Sequence, residues 1–260
     1  MPSPRPVAGT GQPQPSRRER FRQATIDEIK QTARAQMAAE GPASLSLRAV
    51  ARTMGITPSA LYRYFEGIDN LITALCVDAY NALGDAVAYA VDAAPADNPV
   101  ARWFAYCRGM RRWALENAAD FALIYGTPLP GYHAPEDATR PAGVRFTTVA
   151  LQLLAESMAS GALDLDRALI QYTPRVNPGL EALLDGTGAF SDRRSIAILL
   201  GVWTIMQGHL TLELFGHLNW LETDRDAVFD EHVRAMLLTM GFDRSAVADI
   251  SARLSATPPA

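Results

Sequence analysis

Three groups of residues have the types and spacing to do chemistry. Thr57, Ser59, Tyr62 and Arg63 follow the pair Gly55-Ile56 at the spacing of one short helix. Hydroxyl and guanidinium groups on the start and outer face of such a helix can meet base edges and phosphates, although the same pattern also makes an ordinary helical hairpin. His209, Glu213 and His217 fall at i, i+4 and i+8, one helix face that could hold a metal. No His-Glu-x-x-His motif or cysteine accompanies them, so polar interface residues are the simpler expectation, with no metal site. Trp103, Cys107, Met110 and Ala114 share a third face, which can line an apolar cavity or serve as plain core. A Gly-rich phosphate loop and a nucleophile elbow are both missing, so neither an enzyme nor a cofactor is expected.

These groups need helices to position them, and helical spacing recurs throughout. The first helix is expected over residues 17–40, with Ile26, Ile29, Ala33 and Met37 on one face and Gly41-Pro42 as its stop. Ser46 is a candidate N-cap for a helix over 47–54, ended by Gly55. Thr57 can cap the next, with Pro58 at its first position, running to Phe65. Further helices are expected over 69–91, 100–117, 119–125, 142–160, 180–184, a long apolar one from Ser191 or Asp192 to Gly216, and 224–240. The proline-rich stretch 127–141 reads as a loop, and the β-branched residues are too scattered for strands. The expected fold is all-α. Its divisions are a disordered Pro-rich arm (1–16), a three-helix head (17–68), a helical body (69–254) and a disordered tail (255–260).

Composition narrows the partners. The 260 residues carry 24 Lys+Arg and 28 Asp+Glu, a net charge of −4. That total hides an asymmetry: residues 1–70 hold 10 basic and 6 acidic groups, hence +4, leaving −8 for the remainder. Arg17, Arg18, Arg20 and Arg22 crowd the start of the basic part. Two cysteines, Cys76 and Cys107, exclude a disulfide framework and suit a reducing cytoplasm. The arm has no apolar segment of the kind a signal peptide needs, and the most apolar run, 196–206, is shorter than a membrane span.

The stretch from Ser46 to Phe65, with Gly55-Ile-Thr-Pro-Ser-Ala-Leu-Tyr-Arg-Tyr-Phe65 at its heart and Leu71 beyond, resembles the DNA-binding region of the TetR family of bacterial transcription regulators. Ile29, Ala33, Met37 and Gly41 match that family's first-helix spacing. The resemblance covers roughly 26–75 and implies an N-terminal helix-turn-helix domain followed by a helical ligand-binding and dimerising bundle. It places Thr57, Pro58, Ser59 and Ala60 toward bases, Tyr62 and Tyr64 on phosphates, and Ser46 and Arg48 near the DNA backbone. Arg63 on the outer face and Arg17 and Arg18 on the basic arm complete the expected set. Ile68 stands where the family carries a phosphate-binding Lys.

The resemblance further implies double-stranded DNA with a palindromic operator, a homodimer and a small-molecule effector, with the fourth helix carrying the ligand's effect. Repression relieved by ligand is the family's usual mode. Trp203 through Leu214 resembles a TetR subgroup with a Trp…His-Gly signature, Gln207 replacing the His before Gly208. Candidate ligand contacts for a small, largely hydrophobic effector are Trp103, Cys107, Met110, Tyr125, Phe146, Leu151, Met158, Trp203 and Gln207. Candidate dimer contacts are Leu199, Leu210 and Leu214 on the long helix and Val233 and Leu237 on the last. Two other readings remain open: a ligand-binding protein whose helix-turn-helix no longer works, and an enzyme on a helical scaffold.

Overall fold

A cap begins the first helix. Ser16 accepts a hydrogen bond from the Glu19 N–H at 3.2 Å, and α1 runs over Arg17–Glu40 in the computed structural model, which describes residues 16–176, 192–221 and 224–255. The expected arm, tail and 180–184 helix lie outside these, apart from residues at their edges. α1 ends where Gly41 turns to φ +84° and returns its N–H to Met37. Its inner stripe is Ile29, Ala33 and Met37.

A 3-10 turn, Pro42–Ser44, leads to α2 (Leu47–Thr53), which buries Leu47, Val50 and Ala51. Gly55 takes φ +68°, a conformation that costs a residue with a Cβ more than glycine. α3 (Pro58–Leu61) follows, with Thr57 as its N-cap. It is shorter than expected. After Leu61 the chain tightens into i→i−3 bonds, Arg63 to Ala60 and Tyr64 to Leu61, before Phe65 closes back on Leu61. Ser46 occupies the N-cap position of α2 but makes no capping bond; its own N–H goes to the Gln36 side chain at 3.4 Å.

The chain divides into two units between Leu71 and Ile72, three residues beyond the expected boundary and inside α4 (Ile68–Asp92). In the second unit α4 presents Leu75, Ala79, Leu83, Val87 and Val91, an unbroken i, i+4 stripe, all buried. α5 (Pro99–Glu116) starts at an Asn98 cap and is the hub, touching α6 (Ala118–Tyr125), α8 (Arg145–Ala159), α9 (Arg194–Leu214), α10 (Arg225–Met240) and α11 (Arg244–Ser255).

α7 (Glu136–Gly143) corrects the expected 127–141 loop. Pro135 precedes it, Glu136 and Asp137 complement the positive end of its dipole, and Pro141 is accommodated near its end. α11 is a second helix beyond those expected. Among the described residues no strand forms; one isolated antiparallel bridge joins Leu163 to Phe242. There Gly241 sits at φ +106°, and a Cβ on it would lie 2.2 Å from the Asp164 carbonyl oxygen. α4 and α9 are long and apolar enough to cross a membrane by length and composition, but a core helix passes the same test, and both bury a stripe in this core.

Candidate nucleic-acid interface and sensor core

In the first unit the buried residues Ile29, Met37, Val50, Ala51, Leu61 and Phe65 hold the short helices in place. Each large side chain so buried contributes about 1.5–3 kcal/mol. Leu61 and Phe65 point inward, so Thr57, Pro58, Ser59, Tyr62 and Arg63 are left exposed and Ala60 and Tyr64 half-buried. The Thr57 hydroxyl accepts the Ala60 N–H at 3.3 Å and lies 3.0 Å from the Ser59 hydroxyl. Arg48 is exposed at the start of α2, and Ser46 is half-buried. Arg17 and Arg18 are exposed, with the Arg17 guanidinium 5.4 Å from the Phe21 ring. Arg22 stacks over the Tyr64 ring at 5.8 Å and so ties α1 to the residues after α3. Its partner lies 42 residues away, so nothing local in the sequence singles it out.

In the second unit Trp103, Cys107, Met110 and Phe146 belong to one continuous core, with Tyr125 and Met158 packed against it. The Trp103 indole donates to the Ser157 hydroxyl at 3.2 Å. Tyr125 is ringed by Tyr80, Phe121 and Phe146 at centroid distances of 6.1, 5.4 and 6.5 Å. Burial, with a smaller effect from Tyr80, pushes its phenol well above the ordinary range. Its hydroxyl and the Gln207 Oε1 are buried with no hydrogen-bond partner in the structure.

Tyr132 reaches α4 from the loop before α7, 3.0 Å from the Thr73 hydroxyl. It also hydrogen-bonds Cys76, whose thiol is pushed up to about 11, by burial above all. Tyr80, Tyr106, Phe121 and Tyr132 escape the sequence reading. Their aromatic character is visible there, but the crossing that brings them together is not.

Two ligand candidates do not join this cluster. Trp203 is 45% exposed, two turns before buried Leu210 on the same face of α9, and Leu151 is half-buried outside the core. The dimer candidates need correction too. Leu210, Val233 and Leu237 are fully buried within the chain's own core, because α5 packs on the face of α9 and α10 that carries them. Leu199 and Leu214 are half-buried against the same core. The apolar residues that α9 turns outward, with its C-cap, are Leu200, Trp203, Ile205, Leu212 and Phe215.

The His209–Glu213–His217 face also changes. α9 stops at Leu214 and Gly216 turns to φ +77°, so His217 leaves the helix and is exposed. Glu213 meets Arg111 instead, in a two-pronged pair with both bonds at 2.8 Å. Arg111 also reaches Asp226 at 2.7 Å. Burial works to raise the Glu213 pKa, but Arg111 overcomes it and holds the carboxyl below its usual range. Among the described residues no group of three or more His, Cys, Asp or Glu is placed to hold a metal.

Comparison with known proteins decides what this head and body are. Residues 29–75 match the family description "Bacterial regulatory proteins, tetR family", and residues 103–236 match "Tetracyclin repressor-like, C-terminal domain". The HTH-type transcriptional regulator Rv1816 of Mycobacterium tuberculosis is 35% identical over 213 residues, 82% of this chain and 90% of that protein. The chain belongs to the TetR family of transcriptional regulators.

Its TetR fold is shared with SCO4313, whose crystal structure superimposes with a TM-score of 0.65 at 30% identity, over 85% of this chain and 99% of the other. RolR, solved with resorcinol bound, shares the fold at a TM-score of 0.54 and 16% identity, over 90% of this chain and 96% of its own. This TetR-family protein is therefore a DNA-binding regulator and not an enzyme.

Proposed function

We propose that this regulator is a repressor, bound as a homodimer to a palindromic operator and released by a small, largely hydrophobic ligand. The observation that carries it is the outward row Thr57, Pro58, Ser59, Tyr62 and Arg63, set on a head whose every large apolar neighbour in α2 and α3 points inward. Two such rows are needed for a palindrome, and the apolar outer side of α9 suits a second copy. Binding of the protein to its own upstream DNA, followed by fluorescence anisotropy, tests this. Tyr62→Ala with Arg63→Ala should weaken operator binding about 10- to 100-fold. The salt dependence of the remaining affinity should flatten by about one unit of slope for each phosphate that is no longer neutralised. No binding at low salt would sink the repressor and favour a sensor whose head no longer reads DNA, a reading that Ile68 and the net charge of −4 motivate.

The ligand's character follows from the aromatic surround of Tyr125. Its ring neighbours offer apolar walls and its unpartnered hydroxyl a polar point. A ligand shifts DNA affinity only by its differential binding to the two states. Tyr125→Phe should therefore leave ligand-free operator affinity unchanged while raising the ligand concentration needed for release roughly 10-fold, the worth of one buried hydrogen bond. An unchanged release curve, measured with any compound found to release the operator, would remove Tyr125 from the site.

A further inference from the structure

The histidine that the sequence grouped with Glu213 has another partner. His209 on α9 and His232 on α10 bring their Nδ1 atoms to 2.8 Å, with ring centroids 5.0 Å apart and planes at 79°. At that centroid distance the two nitrogens point almost straight at one another. A metal held between them in line would need about 4 Å, two bonds of ~2.0 Å, so this is hydrogen-bond geometry and not a ligand pair. Which ring donates follows from the other side of His209. Its Nε2 faces the Glu213 Oε2 across 3.5 Å, a charge contact without a hydrogen bond. Arg111 keeps that carboxylate ionised, and an ionised carboxylate only accepts. The His209 proton therefore belongs on Nε2, which leaves Nδ1 as acceptor and makes His232 Nδ1 the donor.

We propose that His209 and His232 form a one-proton latch between α9 and α10, closed while at most one proton has been added to the neutral pair and opened by a second. A first proton on His232 Nε2 leaves its Nδ1 still donating, because both nitrogens of an imidazolium are donors. The second must go to His209 Nδ1, which destroys the acceptor and sets two N–H groups and two positive charges head to head.

The surroundings of the latch favour the closed state. On α9 the facing charge is Glu213; from α5 it is Arg111, which also stacks 5.0 Å above Phe229, itself 5.1 Å from the His209 ring. On α10, Asp226 is tied to Arg111, Asp230 to Arg108 and Glu231 to Arg234, and Arg225 acts on Glu213. α8 meets α9 near Ser195, where the hydroxyl touches Met158, roughly 20 Å along the helix from His209. α11 lies beyond Met240, where Asp243 pairs with Arg167. Burial first, then His232 and Arg111, lower the His209 pKa against the pull of Glu213. With a depressed folded value, the stability it supplies is present above the ordinary imidazole pKa of ~6.5 and is lost as pH falls below that and through the folded value.

The test uses the full-length protein in two ways. Imidazole nitrogen NMR at pH 7.5 should find His209 protonated on Nε2 and His232 on Nδ1, and on acidification His209 should stay neutral below its ordinary range. Between pH 7.5 and 5.0 the thermal midpoint should fall about 3 °C further in the wild type than in His209→Gln, which has no ring to protonate. His209 protonated on Nδ1, His209 titrating at or above its ordinary pKa, or equal pH dependence in the two proteins would overturn the latch. The NMR assignment needs no variant and stands even if His209→Gln does not fold.

Discussion

Arg111→Ala should cost the second unit about 3–5 kcal/mol, the usual result of orphaning one charge of a buried pair. Glu213 is 3% exposed and Arg111 12% exposed, and the guanidinium meets the carboxylate through two parallel bonds of 2.8 Å. Truncation leaves the Glu213 carboxylate buried with no hydrogen-bonded cation, only His209 and the charge of Arg225 acting on it, and also removes the arginine stem from above Phe229. The same physics sets the control. Arg111→Met combined with Glu213→Leu removes both charges and fills the space, so its stability should return close to wild type. Urea unfolding of Arg111→Met, Glu213→Leu and the double separates the pair's desolvation from its attraction. If Arg111→Ala left the midpoint unmoved, Arg111 and Glu213 would not be paired in solution.

Leu210→Glu and Trp203→Glu should fail in different ways, although the two residues lie on the same helix two turns apart. Leu210 is fully buried among α5, α9 and α10, so a carboxylate there has no partner and no water. The expected cost of several kcal/mol is comparable with a domain's whole stability, and the second unit should lose its cooperative unfolding transition. Trp203 is 45% exposed, and a glutamate there should change the fold little. On the proposed dimer, however, it places a charge on the exposed apolar surface of α9, and light scattering should report half the mass. A folded Leu210→Glu protein, or an unchanged mass for Trp203→Glu, would reverse the roles given to the two positions.

That contrast marks what can be read in the sequence. The head is legible because its determinants are local. Gly55 needs positive φ, Thr57 caps the helix that Pro58 begins, and Leu47, Val50, Ala51 and Leu61 face inward at helical spacing. α9 is legible as a helix but not in where along its length it is covered. Trp203 and Leu210, seven residues apart, share one face, so periodicity treats them alike; only tertiary packing, which buries Leu210 and leaves Trp203 45% exposed, separates them. α7 is hidden by its prolines, though Pro135 and the acidic pair after it are ordinary start signals. The Arg111–Glu213 pair spans 102 residues and His209–His232 spans 23, both across helix crossings that composition does not encode.

The two cysteines have a practical consequence. Cys76 and Cys107 are both buried, and burial holds both thiols protonated. Only a thiolate that reagents can reach reacts readily, so the native chain is a chemically quiet background for thiol labelling. A single cysteine introduced at exposed Ser59 could carry a spin label or dye with neither native cysteine replaced. In a dimer that one position yields a matched pair of reporters, one on each α3. The distance between them, with and without a ligand, would then be directly measurable in the otherwise native protein.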